Sequence, residues 1–495
     1  MTAHSPSPTS AESDDSTGSD WRLPLEDGIV AVVKESCPTC RLVAPVLAQL
    51  AQSGVQLAVY TQDDLSFPPG ISPVDDTELE ASYRLRIEAV PTLLRIEGGK
   101  EIDRLSGWSR SAWETFTGIP DLGPGLPEYR PGCGSRSVEP GIAEDLEIQY
   151  GGSRLQARRI TVAAMEDEIE SCFQRGWTDG LPVVPPSPQR VLRMLAGTSR
   201  DPDEVVAAVP PDLVPCTVEK VAINAVMAGC RPEYLPVVIA ALEAACTDRF
   251  NLHGVLATTY SVGPAVIVNG PIRRAIGMNS GINVLGQGNR SNATIGRALQ
   301  LVVRNVGGGR PGEVDRATLG NPGKYTFCFA EDEEGSPWEP LSVERGLLEG
   351  TSAVTLFAGE GPRTIFDQLS RKPDALARSF AACLRSVAHP KLARDYEAIV
   401  VVSPEHGRVF REGGWSKKRL RQEILDMLVI PGEELVRGAG GIMEGMPTAE
   451  TLPKFLPDRL WFVHAGGPAG LFSSIIGSWV AGEAGSQPVT QEVQS

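Results

Sequence analysis

This chain of 495 residues predicts an α/β fold, with a small N-terminal domain followed by a larger α/β domain of unassigned strand order. Three observations carry that reading. Segments of helical period alternate with short apolar runs along most of the chain. Four of those runs, GPAVIVNG (263–270), SAVTLFAG (352–359), EAIVVVSP (397–404) and RLWFVHAGG (459–467), are almost continuously apolar and end in Gly or Pro, which suits strands covered on both faces. Hydrophobic residues make 41% and charged residues 22% of the sequence, enough to build packed cores. At about 150 residues per domain the length implies roughly two to four domains. The 52 glycines and 40 prolines add many turns.

The elements follow in order. Residues 1–20 are rich in Ser, Thr, Asp and Pro without an apolar period and read as a disordered tail. In the first domain, 21–118, GIVAVVKES (28–36) is a strand. Pro38 to Ser53 is a helix with Leu42, Val43, Val46, Leu47 and Leu50 on one face. VQLAVYTQ (55–62) is a strand and ELEASYRL (78–85) a helix. PTLLRIEGGKEIDRLSGW (91–108) is a hairpin turning at Gly98-Gly99, and Ser109 caps a helix to Thr117. The order is βαβαββα. Residues 119–155 are Pro/Gly-rich and read as an interdomain linker carrying Cys133. The second domain, 156–480, has helical patterns at Thr161–Arg175, Val218–Ala228, Glu233–Ala245, Ala293–Val306, Pro373–Val387 and Lys417–Leu428. Residues 481–495 read as a flexible tail. No internal repeat of about 20–50 residues is visible.

Lys+Arg is 46 against Asp+Glu 62, a net charge of −16. A nucleic-acid partner is not expected, because phosphate binding needs a basic footprint. No membrane partner is expected either: LPVVIAALEAA (235–245) and LFSSIIGSWVAG (471–482) are too short to span a bilayer. The opening residues lack the basic and apolar regions of a secretory signal, and nine cysteines are too few for a disulfide scaffold. A cytoplasmic, reducing compartment is the expectation, with no metal and no cofactor, and with a thiol or disulfide partner or a small-molecule substrate.

Chemistry is most specific at Cys37-Pro38-Thr39-Cys40, placed where a strand meets a helix. A helix N-terminus favours thiolate, and the thiolate is the species that attacks in exchange. Two more Cys or His ligands, which a structural zinc would need, are missing from the first domain. Val90-Pro91-Thr92 follows directly before the hairpin that ends in Gly107-Trp108. On these residues 21–118 resembles a thioredoxin. The resemblance implies that Cys37 attacks, that Cys40 resolves the mixed disulfide, and that Pro91 is the cis residue of the substrate groove, with neighbours that bind substrate backbone. The chain departs from the pattern at Ser36 (usually Trp), at the Pro38-Thr39 pair (usually Gly-Pro), at Ala31 (usually a buried acid, for which Lys34, Glu35 or water would substitute) and by an insertion at FPPGISP (67–73).

Cys133 lies between Arg130 and Arg136, whose charge is expected to lower its pKa. It reads either as a relay thiol exchanging with Cys37, as the nucleophile of the second domain, or as an inert loop thiol. Cys230, beside Arg231, is a second candidate nucleophile or a core thiol at a helix end. His253, Asn269, the loop 286–292 opening a helix, Glu405-His406 and the glycine loop after His464, read as leading into a helix, are further cleft candidates. Asp179 reads as part of a structural turn. GWTDGLPVVPP, NAVMAGCRPEYLPVV and INVLGQGNRSNATIGRAL resemble a bacterial domain associated with thioredoxin neighbours and with selenoproteins carrying a UGSC motif. Cys-Gly-Ser-Arg at 133–136 departs from that motif at its last position. The expected function is thiol–disulfide exchange between the Cys37/Cys40 dithiol and the larger domain. A reductase with a client-binding module, or an independent enzyme regulated by the dithiol, are the alternatives.

Overall fold

The computed structural model describes residues 27–151, 155–163, 165–438 and 443–494; the expected disordered start, 1–20, lies outside them. The protein is a mixed α/β structure of two units, Met1–Ser153 and Arg154–Ser495.

The first unit is built on a five-stranded sheet. Its strands are β1 (Gly28–Val33), β2 (Leu57–Thr61), β3 (Val74–Asp75), β5 (Thr92–Glu97) and β6 (Lys100–Ser106), with β4 (Ala89–Val90) between β3 and β5 in the chain. The order is β3-β2-β1-β5-β6, with β1 parallel to β2 and antiparallel to β5. Central β1 has Val30 to Val33 fully buried, as a strand covered on both faces must be. Helix α1 (Pro38–Gln52) buries Val43, Val46, Leu47 and Leu50, the stripe its heptad spacing creates. Helices α2 (Glu80–Arg84) and α3 (Arg110–Thr117) complete the layer. Trp113 of α3 meets Trp108 edge-on, 5.1 Å between ring centroids.

Residues 119–151 correct the expectation of a linker, because they fold back onto this unit. Strand β7 (Trp108–Ser109) pairs with β8 (Tyr129–Arg130), and β4 pairs with β9 (Cys133–Gly134). Trp108 Nε1 donates to Pro127 O at 2.6 Å, and α4 (Ile142–Tyr150) packs beside α2. The physical reason is a buried polar chain. Gln62 Nε2 donates to Ser82 Oγ at 2.7 Å and Ser135 Oγ at 2.6 Å, Ser135 and Ser137 hydroxyls pair at 2.7 Å, and Ser137 Oγ donates to Ile87 O at 2.8 Å. Once buried, such groups hold the segment because leaving any one unpaired is costly.

The second unit contains a duplicated fold. It begins with α5 (Glu168–Gln174), α6 (Pro188–Leu195), the hairpin β10 (Val205–Val209) and β11 (Val214–Thr217), and α7 (Val218–Ala228). Helix α5 is shorter than the Thr161–Arg175 pattern, because Asp167 caps it through Ile169 N and Glu170 N. The first repeat is α8 (Leu235–Ala245), α9 (Leu252–Ala257), β12 (Gly263–Asn269), α10 (Ile272–Ala275), α11 (Arg290–Asn305), β13 (Cys328–Ala330), α12 (Leu341–Glu344), β14 (Ala353–Gly359) and β15 (Arg363–Phe366). The second is α13 (Pro373–Leu384), β16 (Tyr396–Val402), α14 (Pro404–Glu412), α15 (Lys417–Met427), the hairpin β17 (Val429–Pro431) and β18 (Thr451–Pro453), then β19 (Leu460–His464), β20 (Phe472–Val480) and β21 (Val489–Glu492).

The main sheet runs β13-β12-β14-β20-β16-β19 and reads the same from either end. In each half a parallel pair (β12/β13, β16/β19) lies outside an antiparallel strand (β14, β20). The last strands are exchanged: β15 pairs with β20 of the second repeat, and β21 with β14 of the first. Odd residues such as Ile267, Phe329, Phe357, Ile399 and Val463 meet in one shared interior. Even residues of β12, β13 and β14 face α7, α8 and α11, and even residues of β16 and β19 face α13, α14 and α15. Burial on both faces accounts for the unbroken apolar runs. The expected flexible tail, 481–495, is corrected by β21, whose Val489 is 8% exposed. The loop after His464 leads into β20, not into a helix. Among the described residues no helix is long and apolar enough to cross a membrane.

Truncation after Gly482 should therefore lower the thermal midpoint by roughly 4–8 °C, from one buried valine and a lost ladder. An unchanged midpoint in a calorimetric scan would show that β21 contributes nothing to the second unit.

Candidate active site

Three thiols gather at the N-terminus of α1. Cys37 is the N-cap, with extended backbone, and its sulfur accepts from Cys40 N at 3.3 Å. A sulfur thus takes the place usually held by a Ser or Asp oxygen, facing free N–H groups and the positive end of the helix. Cys40, one turn on, is fully buried. Cys37 Sγ lies 3.5 Å from Val90 O, and the Val90-Pro91 bond is cis. The third thiol is Cys133. Antiparallel pairing of β4 with β9 sets Cys133 opposite Val90, and its sulfur hydrogen-bonds to Cys37. The close approach needs glycine. Gly107 has φ +79°, and a Cβ there would lie 2.9 Å from Gly132 N. Thr39 Oγ1 donates to Pro131 O at 2.8 Å, tying the middle of the Cys37–Cys40 loop to the returning segment.

The electrostatics divide the three sulfurs into one anion and two donors. The Cys37 thiol is lowered to about 5, first by the hydrogen bond from Cys40, against the opposing effect of burial, and further by Cys133 and the backbone N–H groups of Cys40 and Thr39. Burial, then the neighbouring Cys37 charge, pushes Cys40 far above the ordinary thiol range. Cys133 is raised by burial and by its hydrogen bond to Cys37. This corrects the expectation that Arg130 and Arg136 activate it. The Arg136 guanidinium is engaged by Gln62 O, and burial together with the hydrogen bond to Cys37 raises the thiol. Cys37 is only 1% exposed, whereas Cys133 is partly exposed. Neither proposed substitute for the missing acid serves Cys40 through its side chain. Lys34 pairs with Glu139 at 3.6 Å and Glu35 with Arg41 at 2.8 Å; it is the Lys34 backbone that hydrogen-bonds Cys40.

Cys230 belongs to the core of the second unit. Its thiol donates to Thr294 O at 3.4 Å and is pushed up to about 12 by burial. Arg290 and not Arg231 is the nearby cation, and the expectation of a reactive Cys230 is corrected accordingly. The other candidates are absorbed by the fold. His406 is fully buried, bonded to Ser473 Oγ at 2.7 Å and Asp367 O at 3.0 Å, with its pKa lowered by burial. Glu405 accepts from Leu471 N at 2.7 Å. His464 lies 3.3 Å from Asp332, with its pKa lowered by burial. Asn269 donates to Glu331 and Glu333 at 2.7 and 2.9 Å. In the loop 286–292 Asn289 caps α11 at Asn292 N. His253 is exposed on α9. Asp179 forms a two-bond pair with Arg297, both at 2.8 Å. Sequence reasoning missed Gln62 and Ser135, which position Cys133. A signal was present in the strand-ending Gln62 and the Ser135/Ser137 pair, but no local pattern links residues about 73 apart.

No protein-family model matches the chain, and a search of the curated proteins finds no match.

Alkylation of Cys37 by iodoacetamide should rise with pH through a midpoint near 5 and then level, since thiolate accumulates above its pKa. Cys133→Ala removes one donor to the thiolate and should move that midpoint upward. A midpoint at the ordinary thiol value of about 8.5 in the wild type would refute the charged N-cap.

Proposed function

We propose that this protein is a thiol–disulfide oxidoreductase whose first unit is thioredoxin-like, with Cys37 as attacking thiolate and Cys40 and Cys133 as the two thiols able to resolve its mixed disulfides. The observation that carries the reading is Cys133 set across from Val90, the residue whose carbonyl lies 3.5 Å from Cys37 Sγ. In a thioredoxin the residues beside the Pro91 position bind substrate backbone. Here β9 lies on that edge and presents its own cysteine, as a substrate would.

In the proposed cycle Cys37 thiolate attacks one sulfur of a partner disulfide. The Cys37–partner S–S bond forms, the partner's S–S bond breaks, and one partner thiolate leaves. Cys133 or Cys40, on losing its proton, then attacks Cys37 Sγ and releases the second partner thiolate. Two electrons pass from the protein thiols to the partner, the two partner thiolates take up protons, and an external dithiol reductant restores the protein. Exchange with the larger unit through Cys230 is not part of this reading, since a buried thiol at about 12 supplies almost no thiolate at neutral pH. A cytoplasmic setting, where such thiols stay reduced, fits the reading.

The test is trapping. With Cys40→Ser, mild oxidation should join Cys37 to Cys133, seen as one linked peptide pair by mass spectrometry. The wild type should yield Cys37–Cys40 together with Cys37–Cys133. If the variant instead holds only foreign thiols on Cys37, the internal partner is wrong and the client-reductase alternative stands.

A further inference from the structure

The second unit holds a cavity of about 880 Å³, within the size range of small-molecule sites. Its wall is formed by the extended stretch 155–162 on one side and by α5, α6, α7 and the end of α11 on the other. The extended stretch is clamped. Glu219, 3% exposed, accepts from Gln156 N at 2.9 Å and from Ala157 N at 3.1 Å. That carboxylate is thereby occupied by backbone.

The remaining lining has a consistent chemistry. Trp177, Ile223, Met227 and Val306 supply apolar surface. Arg175 lies over the Trp177 ring at 5.9 Å and pairs with Glu166 at 3.6 Å through one of its nitrogens. Lys220 donates to Pro215 O at 2.8 Å and has no carboxylate within ion-pair distance among the described residues. In a chain with net charge −16, a cavity lysine without a carboxylate partner departs from the overall balance. One more group points to an occupant. Asn305 is one of the lining residues; its Nδ2 is used by Trp177 O at 3.0 Å and Asn224 Oδ1 at 2.9 Å, while its Oδ1 is buried and accepts nothing. An orphaned buried acceptor is costly unless a donor reaches it.

From this geometry we infer a binding site for a small organic anion with an apolar or aromatic body, its charge set between Lys220 and Arg175 and its body against Trp177 and Ile223. The inference is independent of the dithiol chemistry and goes beyond it.

The test titrates the full chain with 8-anilinonaphthalene-1-sulfonate and with its uncharged parent, N-phenyl-1-naphthylamine. The anion should occupy one saturable site and bind about tenfold or more tightly than the neutral probe. Lys220→Gln, at a partly exposed position that leaves the core intact, should weaken the anion about tenfold, the usual worth of a hydrogen bond to a charged group. Ile223→Trp should fill the cavity and abolish binding of both probes. Absence of saturable binding, equal affinity for the two probes, or wild-type affinity in Lys220→Gln with an unchanged thermal midpoint would each overturn the assignment.

Discussion

Antiparallel pairing between Ala89-Val90 and Cys133-Gly134 governs the chemistry of the first unit. It covers Cys37 and supplies the thiolate with a donor it would otherwise lack. It also brings a third sulfur to a dithiol. The pairing itself is only two residues long on each side, too little to persist alone. It endures because its flanks are fixed, by Thr39 on Pro131 at 2.8 Å, by Trp108 on Pro127 at 2.6 Å and by Gln62 on Ser135 at 2.6 Å. Stabilising the Cys37 anion also stabilises the reduced protein relative to any disulfide that consumes it, which shifts the couple toward oxidising behaviour.

Much of this was legible in the sequence. The strand–helix boundary at Cys37, the Pro91 element and the Gly98-Gly99 hairpin are local signals, because each depends on residues adjacent in the chain. The return of 119–151 was not legible. Two-residue strands such as Tyr129–Arg130 carry no period, and Pro/Gly richness reads as a linker. Here glycine is needed for close contact, with Gly107 against Gly132. The direction of the Cys133 shift was missed for a related reason. Arg130 and Arg136 are its neighbours in sequence, but Cys37 and Thr39 are its neighbours in space.

The duplication in the second unit escaped notice because folding preserves so little of it in sequence. AVIVNGP (265–271) and AIVVVSP (398–404) are the clearest trace. Strands buried on both faces require only apolar residues, so the two halves can diverge freely as long as each side chain fills its space. Beyond the strands they have diverged: Arg273 after β12 pairs with Glu333 and Glu334 at 2.9 and 2.8 Å, while His406 after β16 pairs with Ser473. The exchanged strands β15 and β21 tie each half to the other, which explains why the final residues belong to the sheet.

The three thiols also impose an order on the proposed exchange. As long as Cys37 is charged, Cys40 and Cys133 are both kept protonated by burial and by their hydrogen bonds to it, so neither competes with it as a nucleophile. When Cys37 enters a mixed disulfide its charge is gone, and with it the part of each neighbour's shift that came from that charge. What remains is burial. It is complete for Cys40 and partial for Cys133, so the barrier to deprotonation falls further for Cys133. The first covalent step thus activates the thiols that complete the second.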